Sequence, residues 1–346
     1  MEELKEIKKV LIFRHGSLGD TLVALPCFHL IARTFPNAER RVLTAISGNE
    51  NAVPLPAILE PTSLVHGYFT YAAAVGLKNA GKFFRLRNEI KQWKPDVLIY
   101  LAEPRGLLSA RRDAIFFKLC GIKKLVGVPY TKTLRKNRWL PERKSFEHES
   151  ERLARCLKEL GGISLDDRKN WDLRLTKEEK DKALSYLEGW KGRERFVACN
   201  VSAKVQAKDW GEENWQKLFV RLSRNYPCLG LVMIGAQAGA KYSEEAARAW
   251  QGPQLNLCGR LTPRESAALI QQAHLFLGHD SGPMHLAAAA GVPCVAVFVE
   301  CRKPGVWFPY GSGHKVICHG TNGLSRAAVS VDEVFEAARQ MAEEKR

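Results

Sequence analysis

The sequence predicts an α/β chain built as two Rossmann-like domains that face each other across a cleft. Three observations lead there. Continuous apolar runs alternate with stretches of helical length along the 346 residues, the pattern of strands covered on both faces in a parallel sheet and joined by helical crossovers. The alternation occurs as two series, separated by the charged helical stretch TKEEKDKALSYLEGWKGRER (176–195). The chain is also longer than one hydrophobic core ordinarily serves. The expected division is an N-terminal domain over 1–175, a linker over 176–195 and a C-terminal domain over 196–346.

In the first series the predicted strands are KKVLIFR (8–14), RRVLTAI (40–46), DVLIYLA (96–102) and KLVGV (124–128). In the second they are RFVACNV (195–201), LGLVMIG (229–235), LNLCG (255–259), HLFLGH (274–279) and CVAVFV (294–299). Helices are predicted over NWQKLFVRLSRNY (214–226) and PRESAALIQQA (263–273), as right-handed crossovers require. Neither a solenoid repeat nor a low-complexity segment interrupts them. Open parallel sheets bind ligands at the carboxyl ends of their strands, and two such ends stand out.

The first follows strand 8–14, in FRHGSLGDTLVALP. Gly16-Ser17-Leu18-Gly19 forms a turn, and a helix is predicted to start near Asp20 or Thr21. The two glycines would let backbone amides approach a ligand, with the helix N-terminus adding positive potential. The turn matches neither a Walker A loop nor the GxGxxG fingerprint. Asp20 reads in two ways: as a helix cap, or as a carboxylate aimed at the cleft and suited to act as a base.

The second is HDSGPMHLAAAAGVP (279–293). A strand ends at His279, Asp280 or Ser281 can cap the next helix, Gly282 opens room, and Pro283 fits the first turn. Unpaired amides at such a helix start would hold a diphosphate. Ala287 to Ala290 let the helix pack close to the sheet. His285 reads either as a satisfied buried histidine or as a donor to a phosphate or ribose oxygen.

Composition narrows the classes. The 45% hydrophobic and 26% charged content is that of a globular chain. The N-terminus lacks signal-peptide character, and the longest apolar stretch, near 286–299, is broken by Gly291 and Pro293, so a cytoplasmic protein is expected. The nine cysteines show no CxxC pair, which suggests buried free thiols in a reducing compartment rather than disulfides or a zinc site. The formal charge is +16, and residues 105–144 alone hold 12 bases against the acids Asp113 and Glu142. That segment is either a solvated face or a surface for an anionic partner. Nucleic acid is disfavoured, because no recognition helix or stacking platform accompanies the charge.

FRHGSLGDTLVALP and LGHDSGPMHLAAAAGVPCVAVF together resemble glycosyltransferase family 9, the lipopolysaccharide heptosyltransferases and their relatives. The resemblance continues through KPDVLIYL, GIKKLVGV, HESERLARCLKELG, AKDWGEENWQKL and LCGRLTPRESAALIQQAHLFLG. It implies a GT-B fold and inverting, metal-independent transfer from a nucleotide sugar, with ADP-heptose as the default donor and no cofactor. By resemblance, Asp20 is the general base. Lys208 in AKDW would neutralise the leaving diphosphate, and Asp280, Ser281, Gly282 and His285 form the donor-binding motif.

Gly16, Ser17 and Gly19, with Arg105, Arg111 and Arg112 just after strand 96–102, are the expected acceptor-binding residues. An anionic glycolipid would suit these arginines, and the same surface would permit peripheral contact with the inner membrane. Three places depart from the family pattern: CNVSA (199–203), IGAQAGA (234–240), and Val299, Glu300 and Cys301 after the strand ending in Phe298. They bear on the identity of sugar and nucleotide. Two other functions fit the same fold: a sugar-nucleotide epimerase, which needs no acceptor surface, and a non-catalytic sugar-nucleotide or glycan-binding protein in which Asp20 only caps its helix.

Overall fold

The computed structural model describes residues 7–46, 53–72, 80–103, 105–203, 205–320 and 329–343. The chain divides into two units, Met1–Trp171 and Asp172–Arg346, each an α/β layer structure around a parallel sheet.

In the first unit β1 (Lys9–Phe13) leads into α1 (Leu18–Val23) and α2 (Leu25–Thr34), followed by β2 (Glu39–Ile46), α3 (Pro56–Leu59), β3 (Gly67–Ala72), α4 (Ala80–Trp93) and β4 (Val97–Tyr100). Next come α5 (Leu107–Leu119), β5 (Lys124–Val126), α6 (Lys132–Arg135), the antiparallel pair β6 (Trp139–Leu140) and β7 (Ser145–Phe146), and α7 (Glu149–Cys156). The five-stranded sheet runs β3-β2-β1-β4-β5, parallel throughout. Every residue of β4 is buried, as a central parallel strand requires. Leu11, Phe13, Leu98, Tyr100 and Phe117 join strand and helix side chains into one core. The strand order reverses between β1 and β4, so their carboxyl ends flank a switch point, the expected ligand position.

The second unit contains α8 (Lys177–Ser185), β8 (Phe196–Asn200), α9 (Glu212–Asn225), β9 (Gly230–Met233), α10 (Ala240–Ala247), β10 (Gln254–Asn256) and α11 (Pro263–Ile270). It ends with β11 (Leu275–His279), α12 (Gly282–Ala289), β12 (Cys294–Cys301), β13 (Lys315–Gly320) and α13 (Val331–Glu343). The sheet order is β10-β9-β8-β11-β12-β13, again parallel. Its switch point lies between β8 and β11.

Several expectations differ from what is observed. Unit 2 begins at Asp172, and the stretch expected as a linker supplies α8, which is fastened to α11. Buried Arg264 donates to Glu179 (2.5 and 2.9 Å) and to the carbonyls of Leu173 and Arg174 (2.8 and 2.9 Å). Helix α1 starts at Leu18 rather than Asp20 or Thr21, because extended Ser17 is the N-cap and Asp20 the third helical residue.

The cysteine expectation fails for one pair. Cys301 and Cys318 form a disulfide across β12 and β13, with Cα atoms 5.9 Å apart. The ladder shifts between Phe298 and Cys301; nothing in the spacing of the two residues announces the bond. The other seven are free, all buried except Cys228.

Candidate active site

At the carboxyl end of β1, Gly16 turns the chain with φ +121°. A Cβ on Gly16 would overlap the Cβ and carboxyl carbon of Asp20 and lie 2.6 Å from its Oδ2. The glycine therefore makes room for the Asp20 side chain. The same Oδ2 accepts from the Ser17 N–H (2.8 Å) and hydroxyl (3.2 Å), whereas Oδ1 accepts from none of the described residues. Asp20 thus supports the helix start as the third residue of a capping box.

Arg14 fixes the turn from below. It is fully buried and donates to the carbonyl of Leu101 (2.6 Å) and to that of Asp20. In the sequence it is only the last residue of the predicted strand 8–14.

Beside this turn lies a network that spacing did not reveal. Arg105 donates to His15 Nε2 and to Asp113 Oδ2 (3.3 Å). A guanidinium has no acceptor, so Nε2 must accept and the His15 proton sits on Nδ1, donating to the Tyr71 hydroxyl 3.1 Å away. Burial, with Arg105 and Arg14 close by, holds His15 neutral, its pKa lowered to about 3. Buried Asp113 also accepts from Tyr100 (2.8 Å) and from Arg112 (2.9 and 3.2 Å). Burial pushes Tyr71 up to about 12 and Tyr100 higher still, with Asp113 adding to both.

Of the expected acceptor residues, Arg105 is brought to the β1–β4 switch point beside His15, the neighbour of Gly16, Ser17, Gly19 and Asp20. Arg111 and Arg112 lie instead on the exposed side of α5, Arg112 tethered to Asp113 and Arg111 without a partner among the described residues. The helical period turns both outward, while Ala110, Asp113, Ala114 and Phe117 face the core.

In the second unit four of the five expected donor residues cluster at the β11–α12 junction. Ser281 is the N-cap of α12 in extended conformation, with Gly282 and Pro283 opening the helix. Its hydroxyl does not cap; it donates to Asn200 Oδ1 at the end of β8 (3.3 Å). His285 is buried one turn in, its ring 6.1 Å from that of Trp307. The fifth, Lys208, joins them through its ammonium, 2.5 Å from Asp280 Oδ2.

His279, the residue before Asp280, is fully buried, and its Nε2 accepts the backbone N–H of Trp210 (2.9 Å). Consecutive residues at the end of β11 thus hold two points of the 206–210 turn. His279 fixes the main chain, and Asp280 fixes the lysine. Because Nε2 accepts, Nδ1 carries the proton, and Nδ1 is buried without a partner. Burial lowers the His279 pKa to about 4. Within IGAQAGA the two glycines are needed locally. A Cβ on Gly235 or Gly239 would come within 2.8 Å of Asn200 Nδ2 or 2.6 Å of Ser202 Oγ.

Comparison with known proteins agrees with this architecture. The model of glycosyltransferase family 9 (heptosyltransferase) matches residues 84–333. A putative glycosyltransferase of Haemophilus influenzae is 21% identical over 327 residues, 90% of this chain and 88% of that protein. The family 9 glycosyltransferase structure from Veillonella parvula superposes with a TM-score of 0.73 at 17% identity, covering 98% of both chains. The Escherichia coli ADP-heptose lps heptosyltransferase II gives 0.67 at 17% identity, covering 96% of this chain and 98% of that one.

Proposed function

Since the chain belongs to glycosyltransferase family 9, we propose that it transfers heptose from ADP-heptose, with inversion and without a metal, to an anionic glycolipid of the lipopolysaccharide-core kind. The donor and acceptor rest on the names of its relatives, among them the E. coli enzyme of like fold, and on the basic surface of the first unit. No described helix is long and apolar enough to cross a membrane. The reading has the protein work in the cytoplasm, in peripheral contact with the inner membrane that carries the acceptor.

In this mechanism Asp20 Oδ1 takes the proton of the acceptor hydroxyl as its oxygen attacks the anomeric carbon opposite the diphosphate. The bond from that carbon to the diphosphate oxygen breaks, and its electron pair leaves with ADP. An ammonium has three donors. Lys208 gives one to Asp280, which aims the others at the start of α12, where Lys208, the helix amides and His285 take up the charge on the leaving group.

One observation favours transfer over mere binding. Among the described residues Asp20 is anchored through Oδ2 alone, at the switch point of its sheet. Asp20→Asn keeps an oxygen for Ser17 and loses proton affinity, so donor affinity should persist while turnover falls by roughly 100-fold or more. Near-normal turnover in that variant sinks the base assignment. Donor conversion without acceptor would instead identify an epimerase, and donor binding with no conversion a binding protein.

A further inference from the structure

Soluble helices show the core an apolar face and water a polar one; α5 is apolar on both. Its inner face carries Ala110, Ala114 and Phe117 in the core. Its outer face carries Leu108, Ile115 and Leu119, with 81%, 59% and 56% of their surfaces exposed. Spaced by seven and four residues, these three form one stripe. Arg111, Arg112 and Lys118 border it, all exposed. The only acid of the helix, Asp113, is buried and engaged by Tyr100, Arg105 and Arg112.

The patch continues onto α4. Arg87 Nε donates to the Leu119 carbonyl (3.1 Å), and its guanidinium lies 5.8 Å from the ring of Phe84, itself 61% exposed.

We propose that the outer face of α5, extended by Phe84, docks on an anionic phospholipid surface. Aliphatic tips would enter the acyl boundary while the bordering cations meet headgroups. Charge complementarity selects this occupant: a second copy would bring cations against cations, and an uncharged protein groove would leave Arg111 and Lys118 unpaired. The placement suits the reading above, on which this proposal rests. Helix α5 starts directly after Arg105 at the carboxyl end of β4, the sheet end that carries Asp20. A bilayer held there brings the headgroup of a lipid-linked acceptor to the base.

The test is sedimentation of the full chain with vesicles containing phosphatidylglycerol and with vesicles of phosphatidylcholine alone. Wild type should bind the first far better than the second. Leu108→Gln/Ile115→Gln/Leu119→Gln alters only exposed side chains and should keep the fold and the donor affinity, yet lose vesicle binding by at least about tenfold. Lys118→Glu should weaken the phosphatidylglycerol preference by about fivefold or more, and added salt should do the same.

Binding by the triple variant equal to wild type overturns the proposal, and so does equal binding to the two vesicles. A wild type that forms dimers by light scattering, binds no vesicles and becomes monomeric in the triple variant would make the face a self-association surface instead. Turnover on a soluble, lipid-free acceptor separates the two readings. Lost vesicle binding in the variant, with no wild-type transfer to any glycan, keeps the surface and removes the proposed reaction.

Discussion

With φ at +121° and the Asp20 side chain lying where a Cβ would project, Gly16 is a position that only glycine fits. Gly16→Ala should therefore lower stability to urea by about 1–3 kcal/mol and cut turnover more than donor affinity, because it displaces Asp20. Wild-type values for both would remove the link between this glycine and the base. Lys208→Ala should weaken donor binding, and His285→Ala more modestly, by about 1–3 kcal/mol; unchanged affinity in both by calorimetry would move the diphosphate elsewhere. His279 adds a pH term. Its folded pKa of about 4 lies below the ordinary 6.5, so between those values the unfolded chain binds more protons. Stability is then full above about 6.5 and lost as pH falls toward 4, with a slope of about 1.4 kcal/mol per pH unit. His279→Gln, which can still accept from Trp210, should flatten that part of the curve for the second unit. His15, lowered to about 3 for the same main reason, gives the first unit a similar slope that this variant leaves unchanged.

Helix α11 and the start of α8 show what a charged sequence can conceal. Residues 176–195 look like a linker because they are rich in Lys and Glu, yet Arg264 reaches from α11 to hold Glu179 and two carbonyls in a buried site. Arg264→Met leaves those acceptors without their cation and should destabilise the second unit by about 3 kcal/mol or more. An unfolding midpoint within error of wild type would show α8 to be only loosely attached. The central strands were legible because strands buried on both faces need continuous apolar runs: β1, β4, β8, β9 and β11 all lie within predicted segments. Strands β3 and β13 were not. GYFTYA and KVICHG are edge strands of mixed polarity, recruited by their neighbours rather than by their own pattern. Helix α5 escaped for the opposite reason, since apolar residues on both faces leave no helical period to read. In the candidate site, Asp20, Asp280, Ser281 and Lys208 were visible as a family pattern. Arg14, His15, Tyr71 and His279 were not, because each acts through partners distant in sequence, up to 90 residues away for His15 and Arg105.

At the scale of the molecule the charge is lopsided: residues 1–150 carry 25 bases against 14 acids, while 151–346 carry 28 against 23. Donor and acceptor functions, if divided as proposed, should respond differently to that field. Arg111→Glu/Arg112→Glu should raise the apparent KM for the glycolipid acceptor and leave donor affinity nearly unchanged, because the donor residues belong to the other unit. The fold should survive: Arg111 has no described partner, and Asp113 keeps Tyr100 and Arg105 after Arg112 is gone. Salt should reproduce the effect in wild type, since exposed charges are screened over about 10 Å at 0.1 M, and general misfolding would damage donor affinity as well. The form of the acceptor then tells where the arginines act. A raised KM on a soluble, lipid-free phosphorylated glycan means that they touch the sugar phosphates directly. If KM rises only when the acceptor is in a bilayer, they act through the lipid surface together with Leu108, Ile115 and Leu119. An acceptor KM indifferent to both salt and charge reversal would leave Arg111 and Arg112 as a solvated face, and Arg105, fixed beside His15, as the remaining arginine of the proposed acceptor set.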